Sequence, residues 1–217
     1  MDAAVVFRSA VTDLEAGLDQ QRQVRPQLAF EKQPPPRRLA PFAAAIGATV
    51  HDPDLSGETA PGAGEDADTE IAWGSFVLLY DPAGQTGWAG PFRVIAYIRA
   101  DLEPEIAADP LVGQVGWSWL TEALDTRGAG YAAPSGTVTR VVTEGFGTKQ
   151  DEPMATEFEM RASWSPATAE DRGAELDRHF AAWADTLCHA AGLPPLPPGV
   201  AQIRTAQLRQ PRARRRP

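Results

Sequence analysis

Three side chains on one predicted helix are the first that could do chemistry: His179, Cys188 and His189. A thiol and two imidazoles are the raw material of a zinc site or of a Cys–His nucleophile. Their spacing defeats both. Nine residues turn a helix through about 900°, so His179 and Cys188 point half a turn apart, and the adjacent Cys188 and His189 diverge as well. Cys188 therefore reads as a small core residue, and His189 as a plain contact of Asp185 one turn earlier. His51 stands alone beside Asp52, and Asp52, Asp54, Glu65, Asp66 and Asp68 lack the ligand spacing of a calcium loop. Asp101, Glu103 and Glu105 resemble an acid–base pair, because like charges held close push their pKa values apart. Pro104 breaks the strand there, so the cluster reads as a solvated turn leading into a helix. The run GFGTK at 145–149 lacks the glycine-to-lysine spacing of a phosphate loop and opens no helix. No GxSxG, HExxH or CxxC motif occurs. No catalytic residue, metal ligand or cofactor is assigned.

What remains are polar groups on predicted strands and turns. Arg93, Arg99, Arg140, Glu103 and Glu144 are the charges that a sheet-lined cleft would use for a small ligand or a substrate. Ser135 and Arg140 lie at the rim of the segment Pro110 to Val142, and Trp88 sits at the tip of a predicted hairpin. These residues are the candidates for contact with a ligand or a partner. Arg212, Arg214, Arg215 and Arg216 close the chain and are candidates for weak contact with nucleic acid or another anion.

Charge argues against more than that. The net charge is −9, but residues 201–217 hold six arginines and no acid, while 41–200 carry an excess of sixteen negative charges. An acidic body repels phosphates and favours basic partners. Cys188 is the single cysteine, so no intrachain disulfide forms and nothing points to an oxidising compartment. No apolar run approaches the roughly 20 residues that span a bilayer, and the first residues lack a signal-peptide pattern. The expectation is a cytoplasmic protein that does not engage membranes.

The elements that must position these residues follow from hydrophobic period. Residues 3–20 have helical spacing, with Gly17 a cost to that helix. Pro26 and Pro34–Pro36 impose extended backbone, which reads as a linker or arm completing an N-terminal segment 1–38. Residues 39–50 are a predicted strand, 52–70 an acidic disordered loop. Residues 71–80 and 91–100 form a predicted hairpin, with Arg93, Ile95, Tyr97 and Arg99 on one face. Val112, Val115, Trp117, Trp119, Leu120, Ala123 and Leu124 belong to a deep helix stopped by Gly128. Strands at 136–146 and 154–164 make a second hairpin, the latter with Met154, Thr156, Phe158, Met160, Ala162 and Trp164 facing inward. A last helix, capped by Thr168 and Asp171, runs to about Ala191 before Gly192 and Pro194-Pro195. The tail 197–217 is predicted disordered.

The stretches LLYDPAG, GPFRVIAYIRADLEPEIAADPL, WSWLTEAL, PSGTVTR and RASW, with the helix end AGLPP, resemble the actinobacterial family called domain of unknown function 3000. They span roughly residues 39–196. The resemblance implies an intracellular actinobacterial protein and supplies no activity or catalytic residues. The expected fold is α+β: a twisted antiparallel sheet of about five strands, in the order α-β-β-β-α-β-β-α, packed against helices. That order is similar to the fold of type III secretion chaperones and related adaptors, which often dimerise. The functional expectation is a non-enzymatic, chaperone-like protein-binding module with an unidentified protein partner and a possible homodimer. The alternative is a small-ligand binder or enzyme built on the charged residues above.

Overall fold

The segments with a period of two pair into one antiparallel sheet. The structure, a computed structural model, describes residues 2–52, 70–151, 154–168 and 173–193. The acidic segment 53–69, Asp171 of the anticipated helix cap, and the basic tail lie outside the described residues. Six strands, β1 (Leu28–Gln33), β2 (Phe42–His51), β3 (Glu70–Tyr80), β4 (Phe92–Asp101), β5 (Tyr131–Thr143) and β6 (Ala155–Pro166), lie in the order β1-β2-β3-β4-β6-β5. Between β4 and β5 the chain passes through a short helix α2 (Pro104–Ala107) and α3 (Val112–Thr126); α1 (Ala3–Val24) precedes the sheet and α4 (Leu176–Ala190) follows it. No described helix is long and apolar enough to cross a membrane.

The α+β class and the antiparallel sheet are as expected, but the strands number six. The additional one is β1, LAFEKQ, inside the stretch read as a linker. Its flanking prolines impose extended backbone in an arm and in an edge strand alike, and only the pairing of Leu28–Gln33 with Val50–Ala45 tells them apart. β5 begins at Tyr131, before the predicted Gly136, and carries Pro134. Proline is tolerated there because β5 is an edge strand with a bulge between Ala132 and Ser135. β6 runs on to Pro166 and α4 starts only at Leu176, later than the predicted cap. Met154 precedes β6 and is exposed, while Phe158, Met160, Ala162 and Trp164 are buried as expected.

One side of the sheet is covered. Phe76, Leu78, Val94, Ile98, Phe158 and Trp164 share one parity and are buried against the helices. Trp183 and Phe180 of α4 bring their rings to 5.7 and 5.4 Å from that of Phe76. Trp119 of α3 packs on Phe158, and Trp117 closes over Gly136 of β5. Both tryptophans of α3 therefore serve packing. Residues of the opposite parity, such as Trp73, Ser75, Val77, Ile95, Tyr97 and Ser163, stay half-buried. Among the described residues, no helix covers that face.

α1 buries Ala10, Leu14, Gly17, Leu18 and Gln21 at helical spacing, against α4. Gly17 has a physical reason to be glycine: a Cβ there would stand 2.8 Å from the Cα of Asp177. Beyond it, the wholly buried Arg25 donates from Nη2 to Asp185 Oδ1 at 2.6 Å, and Arg127 at the end of α3 reaches Asp185 Oδ2 at 2.7 Å. One carboxylate thus ties three helices together. The expected His189–Asp185 contact is limited to an electrostatic interaction, since both oxygens take hydrogen bonds from arginines and the buried His189 Nδ1 has no hydrogen-bond partner. Cys188 is a core residue, its thiol pushed up to about 12 by burial. His179 is also core, accepting from Trp164 Nε1 at 3.1 Å.

Three outcomes follow for stability. Gly17→Ala gains roughly 1 kcal/mol of helix propensity but forces α1 off α4; overpacking costs about 1–3 kcal/mol, so the denaturant midpoint falls. Asp185→Ala leaves two arginines facing each other, one of them fully buried, and lowers stability by about 3–5 kcal/mol in the same measurement. Burial lowers His179 from 6.5 to about 4. Between those values the unfolded chain takes the proton and the folded one does not, so stability declines as pH falls from 6.5 toward 4, by roughly 3 kcal/mol at most. Urea titrations across that range should show a shallower pH slope for His179→Gln, which keeps an acceptor for Trp164 but does not titrate.

Candidate functional site

The uncovered face of the sheet holds Arg93, Arg99 and Ser135 of the residues singled out in the sequence. Arg93 projects from the start of β4 and lies across β6 toward β5. It is 8% exposed. Its Nη1 donates to the Ala133 carbonyl at 2.9 Å and to Ser165 Oγ at 3.4 Å; its Nη2 donates to Ser163 Oγ at 2.7 Å and to Ser135 Oγ at 3.2 Å. Ser135 and Ser163 are paired residues of β5 and β6, their hydroxyls 3.1 Å apart. Ala133, with φ of 49°, occupies the left-handed region in the β5 bulge, and its carbonyl is one of the acceptors for Arg93.

The loop joining β3 and β4 closes one end of this cluster. Ala89 N–H donates to the fully buried Ser165 Oγ at 3.0 Å, so half-buried Trp88 is held next to it in sequence. An open depression of about 580 Å³ lies on the loop itself, lined by Pro82, Gln85, Trp88 and Pro91 among others. Arg93, Ser135 and the Trp88 loop therefore converge. No ion pair among the described residues includes Arg93. Burial lowers its pKa, but a guanidinium keeps its proton in proteins.

Further along the same face, the rings of Trp73 and Tyr97 meet in a tilted contact with centroids 5.4 Å apart, and the Arg161 guanidinium lies over the Tyr97 ring at 5.4 Å. Arg99 is ion-paired with Glu157, and Arg161 with Glu159 at 2.9 Å. Burial, and then the Glu159 carboxylate, hold the Tyr97 hydroxyl above its ordinary range. Arg99 also borders an open depression of about 340 Å³ with Glu70, Trp73 and Asp101. Closer to the other edge, Gly47 leaves room for Gln33, whose Oε1 accepts from Ser75 Oγ at 3.0 Å.

Three anticipated charges, Arg140, Glu103 and Glu144, are not brought to this face. Arg140 turns to the helix side, where its Nη1 donates to the carbonyls of Ala107 at 2.9 Å and Asp109 at 3.1 Å. It braces the connection between α2 and α3. Glu103 is exposed at the foot of α2, its carbonyl accepting from Ala107 N–H, and Glu144 is exposed just past β5. A single cleft gathering all five charges does not form. Arg212, Arg214, Arg215 and Arg216 lie outside the described residues. Among the described residues, no group of three or more His, Cys, Asp or Glu is placed to hold a metal ion.

Ser163, Ser165, Trp73 and Arg161 were not among the candidates. The outward parity of β4 and β6 was legible, but nothing in the chain order reveals that β6 inserts between β4 and β5.

No curated protein and no solved structure matches the chain. A family model described as "Protein of unknown function (DUF3000)" matches residues 3–201, nearly the whole chain, and this protein therefore belongs to the DUF3000 family.

Proposed function

We propose that this chain is a non-enzymatic protein-binding module, of the adaptor or chaperone-like kind, acting in the cytoplasm. The observation that carries the reading is the one-sided helix layer. It leaves a sheet face on which Trp73, Tyr97, Val77 and Ile95 are half-buried and ringed by charge. Aromatic residues and arginine are enriched where proteins meet, and the apolar body of Trp or Tyr gives contact area at little entropic cost. The two depressions are open and make poor enclosures for chemistry.

Charge selects the occupant. Residues 41–200 are strongly acidic, and Asp101, Glu157 and Glu159 share the face with the aromatic pair. A second copy would bring like charge to like, whereas a basic protein would be steered in. Arg161 over Tyr97 is the chain's own example of the contact that a partner's arginine or lysine would make with Trp73. The single cysteine is buried and reduced, which is what supports a cytoplasmic setting.

The test is reconstitution. A basic protein retained by the chain from native cytosol at low salt is purified and titrated against wild type and against Trp73→Ala/Tyr97→Ala. The expected result is binding that weakens with salt and drops at least roughly tenfold in the variant. Equal binding by the variant, or a strict monomer in sedimentation that retains no protein, overturns the proposal. The second reading, a small-ligand site, has one observation in its favour: the Arg93 cluster.

A further inference from the structure

Arg93 differs in one respect from Arg25, the other buried arginine among the described residues. Arg25 has Asp185 for a counterion, while Arg93 is surrounded only by neutral oxygens, three hydroxyls and one carbonyl. A guanidinium withdrawn from water without a counterion is costly, and hydroxyl dipoles offset only part of that. The four contacts are nevertheless built with care. Ser165 is held by Ala89, Ser163 and Ser135 are in register on adjacent strands, and Ala133 accepts a left-handed backbone in the bulge that carries the fourth acceptor.

We propose that Arg93, Ser163 and Ser135 form a binding site for a carboxylate group. Ser135 is exposed on the edge strand β5, Ser163 is half-buried behind it, and Arg93 Nη2 reaches both. Each hydroxyl accepts from the guanidinium, and one of them donates to the other in the free protein; turning that one proton outward breaks only the serine–serine bond and leaves both hydroxyls able to donate to a ligand. Two donors 3.1 Å apart, backed by a positive charge, suit the two oxygens of a planar carboxylate. A doubly charged phosphate is disfavoured, because the acidic body repels a dianion more than a monoanion. The buried end at Ser165 is sealed, so the ligand approaches over the β5 edge. The same carboxylate chemistry comes from a free small acid or from an acidic side chain or C-terminus of a peptide.

The site is tested with acetate on the full chain, by following backbone amide and arginine Nε NMR shifts against sodium chloride of equal ionic strength. Saturable shifts at Ser135, Ser163 and Arg93 are expected with acetate and not with chloride. They are expected to vanish in Arg93→Gln and to need roughly tenfold more acetate in Ser135→Ala. Ser135 is exposed, so that variant keeps the experiment decisive if Arg93→Gln does not fold. A short peptide with one internal glutamate separates the sources: tighter binding than acetate at the same residues assigns a peptide carboxylate, and equal or weaker binding assigns a free acid. Acetate shifts no larger than those of chloride, or an unchanged midpoint in Ser135→Ala, overturn the proposal. The probe is a small anion and the chain is alone, so failure of the basic-partner reading leaves this result intact.

Discussion

Phe76, in the middle of β3, is where the two layers of this protein are joined. The rings of Trp164, Phe180 and Trp183 stand 5.4 to 6.3 Å from it, and all four side chains are fully buried. Large aromatic groups in tilted or edge-on contact contribute more per residue than aliphatic packing does, through both area and ring geometry. α4 is held to the sheet by this cluster, and α1 and α3 are in turn held largely by α4. Because the long helices are organised around one element on one side, the opposite face is left without helical cover among the described residues. The candidate surfaces are a consequence of how the core was assembled.

Buried charge is handled in two ways. Between the helices, one carboxylate answers two arginines, a compact ion network that secures α1 and α3 to α4. Such networks specify geometry more than they add net stability, since desolvation cancels much of the attraction. On the sheet face, Arg93 is met by hydroxyls and a carbonyl from β5 and β6. Satisfied donors without charge compensation are a sound arrangement only where an anion arrives from outside or where the residual cost is borne by the fold. The first of these makes Arg93 the natural place to look for a ligand.

The shape of the uncovered face is the ground on which the proposed protein-binding reading stands. An enzyme of this size needs groups of opposite role held within hydrogen-bond reach in a site that excludes water. Here Arg140 is directed to the α2–α3 connection, Glu103 is exposed before α2, Arg99 and Arg161 are matched by glutamates, and the depressions are open. The surface of aromatic rings and paired charges is what supports the proposed protein-binding reading.

Local pattern was enough to determine much of this protein. A period of two in β4 and β6, the glycine stop after α3 and the amphipathic stripes of α1 and α4 are properties of neighbouring residues, so they could be read directly. So could the core placement of Cys188, since helical spacing sets it apart from both histidines. Tertiary structure alone decided what lies between elements distant in sequence. The strand β1 looked like an arm because proline imposes the same backbone on both, and only the pairing with β2 distinguishes them. Asp185 was expected to serve His189, four residues away, yet it is claimed by Arg25 and Arg127 from two other helices, whose charge outweighs a neutral imidazole. The serines around Arg93 come from β5 and β6, some 42 to 72 residues away along the chain, and no local signal connects them to β4. Short-range sterics and periodicity are written in adjacent residues; the matching of charges and hydroxyls across strands depends on an order of strands that the chain order does not reveal.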